Sequence, residues 1–346
     1  MPLDEPSWWY PATPRRSARL LPHLLQPVAG IYGAIARARL RRAPAARASM
    51  PVICVGNFTA GGTGKTPIAI AIAQLLRHLG RTPVFLSRGY GGIRRGPHTV
   101  DANIDHAGTV GDEPLLLAAS APTVVARDRA AGAGYIRDHR LGDVIVMDDG
   151  LQNRSLAKTL TLAVVDSRRG LGNGRVLPAG PLRAPVDAQL AVTDAIVVTG
   201  RAAAAPDTPA ELPAPLRHFD GPCLTAHVVP AADVDWLKQA PILAFAGIAN
   251  PDRFFDLLTA LGGDLRQRRT FRDHHMFATE ELEQLIADAD DAGLQLVTTD
   301  KDYVRLGPAS VAARRVRQLA KVLPIEPAFA PADLQRLKDM LAAAVA

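Results

Sequence analysis

The stretch VICVGNFTAGGTGKTPIAIAIA, residues 52–73, decides how the rest of the chain is interpreted. Its β-branched run at residues 52–55 predicts a buried strand, the three glycines that follow predict a tight turn, and the apolar residues after Lys65 predict a helix. Backbone N–H groups in such a turn can converge on phosphate oxygens at a helix N-terminus, whose dipole favours anions. The stretch therefore predicts a phosphate-binding loop between a strand and a helix of an α/β fold.

Residues 59–66 of this loop are each predicted to contact the nucleotide or magnesium. We predict that the phosphates of ATP contact the backbone of Thr59, Ala60, Gly61, Gly62, Thr63 and Gly64. Lys65 would reach the β- and γ-phosphates, and the hydroxyl of Thr66 would bind magnesium. Thr59 stands where the strict pattern G-x-x-x-x-G-K-[ST] has its first glycine, so the loop is a variant. A glycine-rich turn without a ligand is the alternative, but strand, loop and helix occur together, which favours nucleotide binding.

The excess positive charge of the chain is confined to its N-terminus. The 346 residues carry a formal net charge of +6, and residues 1–48 hold eight arginines against Asp4 and Glu5. The rest of the chain has 32 basic and 32 acidic residues. A nucleic-acid-binding body would carry its own basic face, so we predict no nucleic-acid partner. The two cysteines are too few for a disulfide framework, which fits a reducing cytoplasm.

An apolar stripe at helical spacing lies between these arginines. Its members are Leu20, Leu21, Leu24, Leu25, Val28, Ile31, Tyr32 and Ile35. The stripe is too interrupted for a transmembrane span, whereas the arginines and the aromatic residues 8–10 suit an anionic lipid surface. We predict a membrane-associated interfacial helix, kinked at Pro27. A secretory signal peptide, whose cleavage site residues 36–38 would mimic, and a helix packed on its own domain are the alternatives.

Strand and helix signals alternate along the rest of the chain and predict an α/β protein of two domains. The length and the 48% hydrophobic content suffice for two cores. Predicted strands occupy residues 83–86, 123–126, 144–147, 162–165, 196–198, 242–246 and 296–299. Residues 201–222 are rich in alanine and proline, and we place a domain boundary there. The predicted division is a membrane-associated segment at 1–48, a phosphate-loop core at 49–215 and a smaller α/β domain at 216–346.

Polar residues at the ends of predicted elements supply candidate chemistry. Asp148 and Asp149 end a buried strand, where a protein with a phosphate loop places the acid that holds magnesium. One could serve the metal and the other the substrate, although a surface turn also favours Asp-Asp-Gly. Arg88 and Arg183 lie in glycine- or proline-rich loops, where guanidinium groups suit phosphate recognition, with solvated surface arginine as the alternative.

Two further segments are candidates for a general base. Asp112 and Glu113 come just before a helix, and this spacing alone favours an N-cap over a base for a hydroxyl nucleophile. His274 and His275 follow an aspartate in a loop. Neighbouring histidines could bind a metal, but no further cysteine or histidine cluster supports one, and a base or base-orienting role stays open.

Several motifs occur in order between residues 57 and 302. They are Asn57 with GGTGKTP (61–67), SRGY (87–90), GDEP (111–114), DDGLQ (148–152), LPAGPLR (177–183), FRDHHMF (271–277) and TTDKD (298–302). Together they resemble the motif set of the tetraacyldisaccharide 4'-kinase family of lipid A biosynthesis, and they cover most of the chain. The resemblance implies a P-loop NTPase-like parallel sheet core, a second, smaller α/β domain and an N-terminal membrane-associated helix.

The resemblance also implies an activity. The family transfers a phosphoryl group from ATP, with magnesium, to the 4'-hydroxyl of a tetraacylated glucosamine disaccharide 1-phosphate, and so forms lipid IVA at the cytoplasmic face of the inner membrane. The residues implied are Asp112, His274, Lys65 and Asp149 for catalysis, Asp148 and Thr66 for magnesium, and Arg88 and Arg183 for the substrate. Ala184 and Asp300 depart from the acid and the glutamate that the family commonly has there, which puts supporting contacts in doubt.

Proteins of other classes share parts of this pattern. A P-loop GTPase is disfavoured because residues 299–302 place their lysine one position late for the base-reading motif N-K-x-D. A membrane-positioning ATPase would have a second lysine where Ala60 stands. A soluble small-molecule kinase is the main alternative, and it would not need the N-terminal stripe.

Overall fold

The computed structural model describes residues 5–10, 16–200, 212–307 and 310–346. The strands in these ranges are β1 (Val52–Gly56), β2 (Pro83–Ser87), β3 (His98–Thr99), β4 (Thr123–Val125), β5 (Val144–Asp148), β6 (Leu160–Asp166), β7 (Ala195–Gly200), β8 (Cys223–Pro230), β9 (Ile242–Ala246), β10 (Leu265–Thr270), β11 (Gln295–Thr299), β12 (Lys321–Leu323) and β13 (Ile325–Phe329). Every strand predicted from the sequence is among them, with ends shifted by two residues or fewer.

The α-helices of the described residues connect these strands. They are α1 (Arg16–Leu24), α2 (Gln26–Arg41), α3 (Lys65–His78), α4 (Ala107–Val110), α5 (Asp112–Ala118), α6 (Arg129–Asp138), α7 (Val186–Leu190), α8 (Pro251–Ala260), α9 (Thr279–Ala292), α10 (Asp300–Arg305), α11 (Val311–Leu319) and α12 (Pro331–Val345). Strands and helices alternate for most of the chain, which is the pattern of an α/β protein.

A large, mostly parallel sheet forms the core, as predicted. Its strand order is β13-β8-β7-β6-β1-β5-β2-β4-β3, and only the edge strands β3 and β13 run antiparallel to their neighbours. Strand β1 lies between β5 and β6, with Val55 in register with Asp148. Because β1 and β5 are parallel neighbours, their carboxyl ends lie at the same edge of the sheet. The phosphate loop and the Asp148–Asp149 pair are therefore adjacent.

Helices cover both faces of this sheet, and alternate residues of β1 show how. Ile53 and Val55 point to the face covered by α3 and α12, whereas Cys54 points to the face covered by α6. All five residues of β1 are buried. A strand that is covered on both faces reads as a continuous apolar run, which explains why residues 52–55 do not alternate with polar residues.

Four parallel strands form the second sheet, in the order β10-β9-β11-β12. Leu243 and Phe245 of β9 pack against α9 and α11, and Ile242 and Ala244 pack against α8 on the other face. The predicted smaller α/β unit is present. Strand β9 ends at the loop of residues 247–250. Strand β11 leads directly into α10, which contacts α5 beside the large sheet.

The sheets do not divide where the sequence suggested. Strands β8 and β13, both inside the predicted domain 216–346, belong to the large sheet, and α12 packs on that sheet through Leu337 and Leu341. The chain therefore enters the small sheet after β8 and returns to the large one at β13. The division into 49–215 and 216–346 stays a prediction about domains, but the membership of the sheets does not follow it. Most of the Ala/Pro-rich segment, residues 201–211, lies outside the described residues.

The N-terminal stripe is helical, but the helix is interrupted at Leu25, two residues before the predicted kink at Pro27. Helix α1 ends at Leu24 and α2 begins at Gln26, so Pro27 lies in the first turn of α2, where its missing N–H costs no hydrogen bond. Ala29, Gly33 and Leu40 of α2 are buried against the protein. The opposite side is exposed, at Leu20, Leu24, Val28, Ile31, Tyr32 and Ile35. Of the helices in the described part of the chain, none has the length and apolar content that a membrane span requires.

Candidate active site

The phosphate loop lies between β1 and α3, as the sequence predicts. Gly61 and Gly64 have φ angles of 99° and 82°, a left-handed conformation that favours glycine. The side chain of Asn57 donates from Nδ2 to the carbonyl oxygen of Gly61 at 3.2 Å and so holds the turn. Lys65 is the first residue of α3, and only 7% of it is exposed.

The first two residues of the loop are tied to another segment of the chain. Thr59 bridges Leu182, and the N–H of Ala60 donates to the carbonyl of Pro181 at 2.7 Å. The N–H of Ala60 is thus already hydrogen-bonded to Pro181. Its predicted contact with phosphate would have to replace that bond. The N–H of Arg183 donates to the carbonyl of Phe58 at 2.9 Å in the same tie. This tie brings Arg183 to the loop, which no local sequence signal indicated.

Asp148 is completely buried at the end of β5. Neither carboxylate oxygen has a hydrogen-bond partner among the described residues. Burial, together with the charge of Glu113, raises the pKa of Asp148 to about 8. An unpartnered buried carboxylate is costly, and a bound cation would satisfy it. The described residues contain no group of three or more His, Cys, Asp or Glu that could hold a metal alone. Mg²⁺ commonly takes one or two carboxylates together with phosphate oxygens and water.

Asp149 lies between two cations of the site. It accepts a hydrogen bond from a terminal guanidinium nitrogen of Arg183 at 2.7 Å, and its Oδ1 lies 3.7 Å from Nζ of Lys65. Partial burial opposes ionisation, but the charges of Arg183 and Lys65 hold the pKa of Asp149 well below its usual range. The φ of Asp149 is 50°, a conformation that non-glycine residues adopt only where the surroundings enforce it. The carboxylate is therefore ionised and fixed beside Lys65.

Asp112 and His274 meet across the two sheets. Asp112 is the first residue of α5, and His274 lies in the loop after β10; Nδ1 of His274 is 2.9 Å from Oδ2 of Asp112. Asp112 is not the N-cap that spacing favoured, since Gly111 occupies that position. Its Oδ1 accepts from the N–H of Glu113 at 2.9 Å. His275 instead pairs with Glu281 at 2.7 Å, away from Asp112.

Two cations beside Asp112 were given no role from the sequence. Nζ of Lys301 and Nε of Arg305, both on α10, lie 3.8 and 3.3 Å from Oδ2 of Asp112. Burial would raise the pKa of Asp112, but Lys301, His274 and Arg305 hold it well below its usual range. Lys301 belongs to the quoted motif TTDKD, which was the available signal. Arg305 lies outside every motif, and its sequence neighbourhood gives no sign of the contact.

A cavity of about 1390 Å³ joins most of the predicted site residues. Lys65, Arg88, Asp149, Arg183 and His274 line it, and residues 32–40 of α2 form part of its wall. Arg88 is exposed there, as a residue that meets a ligand would be. The lining also includes Arg129, which the sequence analysis missed; it is almost completely buried, and burial lowers its pKa to about 10. A second cavity of about 890 Å³ lies on the other side of the loop, and Thr66 lines that one.

The sequence as a whole now assigns the family. Residues 21–346 match the model of the tetraacyldisaccharide-1-P 4'-kinase family. The chain belongs to this family. A relative named tetraacyldisaccharide 4'-kinase from Methylobacterium sp. strain 4-46 is 49% identical over 342 residues, covering 99% of this chain and 98% of the relative. One of the same name from Nitrobacter winogradskyi is 51% identical over 306 residues, covering 88% and 87%.

Solved structures of the family show the same fold. The structure of LpxK from Aquifex aeolicus, determined in complex with ATP, superposes with a TM-score of 0.72 and covers 94% of this chain and 100% of that one. The two sequences are 24% identical. The match confirms the P-loop-like core with a large parallel sheet that the sequence predicted.

Proposed function

We propose that this chain transfers the γ-phosphoryl group of ATP to the 4'-hydroxyl of tetraacyldisaccharide 1-phosphate, producing lipid IVA and ADP. Membership of the family supports the reaction. The observation that carries the assignment to this site is the contact between Asp112 and His274, which unites the two sheets beside the phosphate loop. A phosphoryl-transfer enzyme needs a phosphate cradle and a base for the attacking hydroxyl, and the cavity is lined by both.

The proposed base acts at Nε2 of His274. Nδ1 hydrogen-bonds to Asp112, and Nε2, which lies 3.7 Å from a carboxylate oxygen of Asp273, would accept the proton of the 4'-hydroxyl. As the 4'-oxygen attacks the γ-phosphorus, the hydroxyl proton passes to the His274–Asp112 unit and ADP leaves with the β–γ bridging oxygen. Tyr90 lies beside the imidazole, with ring centroids 5.3 Å apart.

Positive charge around the transferring group supports the same assignment. Lys65 would meet the β- and γ-phosphates, and both Lys65 and Arg183, which extends from the segment tied to the loop, contact Asp149. Charge that develops on the phosphoryl oxygens is stabilised best by cations fixed before the reaction begins. Asp149 fixes both cations. Arg88 on the cavity wall would contact the phosphate of the substrate.

ATP and magnesium are the proposed cofactors. ATP is bound by the Aquifex aeolicus relative, and the loop of this chain has the glycines and the lysine that such a ligand needs. Asp148 and the hydroxyl of Thr66 would hold Mg²⁺, and the fit rests on the unpartnered buried carboxylate of Asp148. When bound, Mg²⁺ neutralises phosphate charge and orients the phosphates.

We further propose that the chain works at the cytoplasmic face of the inner membrane, attached through α1 and α2. The substrate carries four acyl chains, and an enzyme that acts on it gains from contact with the lipid surface. The exposed apolar residues of α1 and α2 form one face, while Ala29, Gly33 and Leu40 anchor α2 to the protein. Residues 32–40 of α2 also line the larger cavity, so the proposed membrane face and the site share one helix.

The experiment is a transfer assay with the full chain. Labelled γ-phosphate of ATP, magnesium and the tetraacyl disaccharide 1-phosphate in detergent should give a labelled bisphosphorylated lipid. The same assay with a water-soluble sugar acceptor tests the soluble-kinase alternative. Label in the soluble acceptor and none in the lipid would overturn the proposal.

A further inference from the structure

The proposed catalytic pair, Asp112 and His274, is contacted by a residue to which no role has been assigned. We infer that Arg305 is a positioning residue that fixes the Asp112–His274 pair by contacting Asp112 and the backbone beside His274 at once. The inference rests on the proposed role of that pair. Arg305 does not reach the cavity, because its side chain is 1% exposed, so any effect on turnover passes through the residues that it contacts.

Arg305 contacts Asp112 and the backbone next to His274 with different nitrogens. Its Nε lies 3.3 Å from Oδ2 of Asp112, the same oxygen that meets His274. One terminal nitrogen donates to the carbonyl of His275 at 3.4 Å and to the carbonyl of Gly247 at 2.8 Å. One planar group thus sets the carboxylate on the large-sheet side and the backbone next to His274 on the small-sheet side.

The backbone at His274 needs such support. His274 has a φ of 58°, a left-handed conformation that persists in a non-glycine residue only where neighbouring contacts enforce it. Its own N–H donates to Asp273, at 3.0 Å, and the next residue accepts from Arg305. Loss of the Arg305 contact frees this turn to relax and moves the imidazole away from Asp112.

Arg305 is itself fixed by α10 and by a buried carboxylate. Its Nε also donates to the carbonyl of Lys301 at 3.0 Å, and its second terminal nitrogen lies 3.3 Å from Asp302. Asp302 in turn accepts from the N–H of Gly247 at 2.9 Å and from the hydroxyl of Thr299. The second terminal nitrogen of Arg305 makes no hydrogen bond to the described residues, so hydrogen bonds hold the guanidinium through Nε and one terminal nitrogen. Because those bonds fix its plane, it can impose a geometry on Asp112 that a flexible lysine could not.

The charge of Arg305 also acts on the pair. The charged groups that face Asp112 are Lys301, Arg305 and His274, with Glu113 and Asp273 around Lys301. Removing one cation raises the pKa of Asp112, because Arg305 is among the charges that hold it low. The acidic limb of the pH–turnover profile should then move to higher pH.

The test compares Arg305→Gln, Arg305→Lys and Arg317→Gln in the full chain. Arg317, on α11, is the matched control. It donates to the carbonyls of Tyr303 and Leu306 at the end of α10, the helix that carries Arg305, and no contact with Asp112 is found among the described residues. Arg305→Gln should lower kcat by about 100-fold, the scale expected when a reacting group is displaced by about 1 Å, with KM for ATP unchanged. Arg305→Lys should restore the position of the acidic limb but little of kcat. Arg317→Gln should leave kcat and the pH profile close to wild type.

A double substitution separates a positioning role from general damage. In a His274→Ala background, Arg305→Gln should cost less than about threefold, because there is no longer a pair to position. Equal losses for Arg305→Gln in both backgrounds, or equal effects of Arg305→Gln and Arg317→Gln, would overturn the inference. If Arg305→Gln does not fold, the Arg305→Lys kcat in the two backgrounds decides in the same way. Wild-type turnover of His274→Ala alone would instead overturn the proposed base.

Discussion

At the scale of single residues, burial and neighbouring charges set the ionisation of the acidic side chains in the candidate site. Asp149 is held as an anion by Arg183 and Lys65, whereas Asp148, its neighbour in the chain, is buried and has no hydrogen-bond partner in the part of the chain that the structure describes. The two adjacent aspartates therefore differ in environment more than in position. This contrast supports different roles, with Asp148 offered to a cation and Asp149 fixing the cations that meet phosphate.

The substitution Lys65→Ala tests the phosphate loop. Lys65 is almost completely buried beside Asp149, and its proposed role is to stabilise the transferring phosphates. Turnover should therefore fall by at least about 100-fold, the loss seen when one preorganised stabilising group is removed. The thermal midpoint should change little, because Asp149 keeps its closer contact, the 2.7 Å hydrogen bond from Arg183. Lys238→Ala, which removes an exposed lysine paired with Asp235, is the control. Near-wild-type turnover of Lys65→Ala would contradict the loop assignment.

The substitution Asp112→Asn tests how much the charge of Asp112, beside His274 and two cations, contributes to the free energy of unfolding. The pKa of Asp112 is lowered in the folded chain, so as the pH falls below its ordinary value of 3.8 the unfolded chain takes up the proton first. The contribution of the carboxylate to stability is therefore complete above that pH and is lost below it. Asp112→Asn should cost about 3 kcal/mol near neutral pH, the scale for breaking a buried ion pair.

Urea unfolding of wild type and Asp112→Asn at several pH values measures this effect. The difference in the free energy of unfolding should stay constant down to the ordinary carboxyl pKa of 3.8 and shrink as the pH falls below it. Exposed carboxylates titrate equally in both proteins and cancel in the comparison. A difference that stays constant below that pH as well would show that the loss comes from packing rather than from charge.

At the scale of elements, the sequence predicts what is local and misses what is distant. Strand β1, the loop and α3 follow from apolar runs and glycines within about twenty residues, and the structure confirms them. The pairing of β13 with β8 joins segments about a hundred residues apart, and neither segment carries a sign of its partner. For the same reason the tie between Ala60 and Pro181, which places Arg183, could not be read from either segment alone.

The exposed face of α1 and α2 makes a prediction at this scale. Leu24 and Ile31 are 75% and 66% exposed, and each would contribute up to about 2 kcal/mol on burial in lipid. The double substitution Leu24→Glu with Ile31→Glu should weaken binding to anionic vesicles by at least about tenfold in a pelleting assay. Ile104→Glu with Val311→Glu, at exposed apolar positions elsewhere, should bind as wild type does.

The salt and lipid dependence of the same assay separates two modes of binding. Because the charge excess of the chain is confined to residues 1–48, wild-type binding should rise with the fraction of anionic lipid and fall with added salt. Binding that ignores both would indicate hydrophobic insertion without an electrostatic part. Equal binding by the two double variants would contradict a membrane role for this face.

At the scale of the whole molecule, the proposed catalytic pair exists only where the two sheets meet. Asp112 begins α5 beside the large sheet, and His274 follows β10 of the small one. The sequence placed these residues 162 positions apart, and only the family resemblance linked them; spacing alone made Asp112 a helix cap. The contact brings them together, and α10 adds Lys301 and Arg305 on the side of the small sheet. Any motion that separates the sheets would therefore break the contact between Asp112 and His274 and disable the proposed base.

A double-mutant cycle on Asp112 and His274 tests this arrangement. An acid that orients and polarises a histidine acts as one unit with it, so Asp112→Ala and His274→Ala should each lower turnover by roughly 100- to 10,000-fold. The double variant should be hardly slower than the slower single variant, because either substitution already removes the unit. His275→Ala is the control, since its imidazole pairs with Glu281 rather than with Asp112, and it should keep most of the turnover. Single losses that multiply in the double variant would show that the carboxylate and the imidazole act independently, and the contact between the sheets would then have no part in the proton transfer.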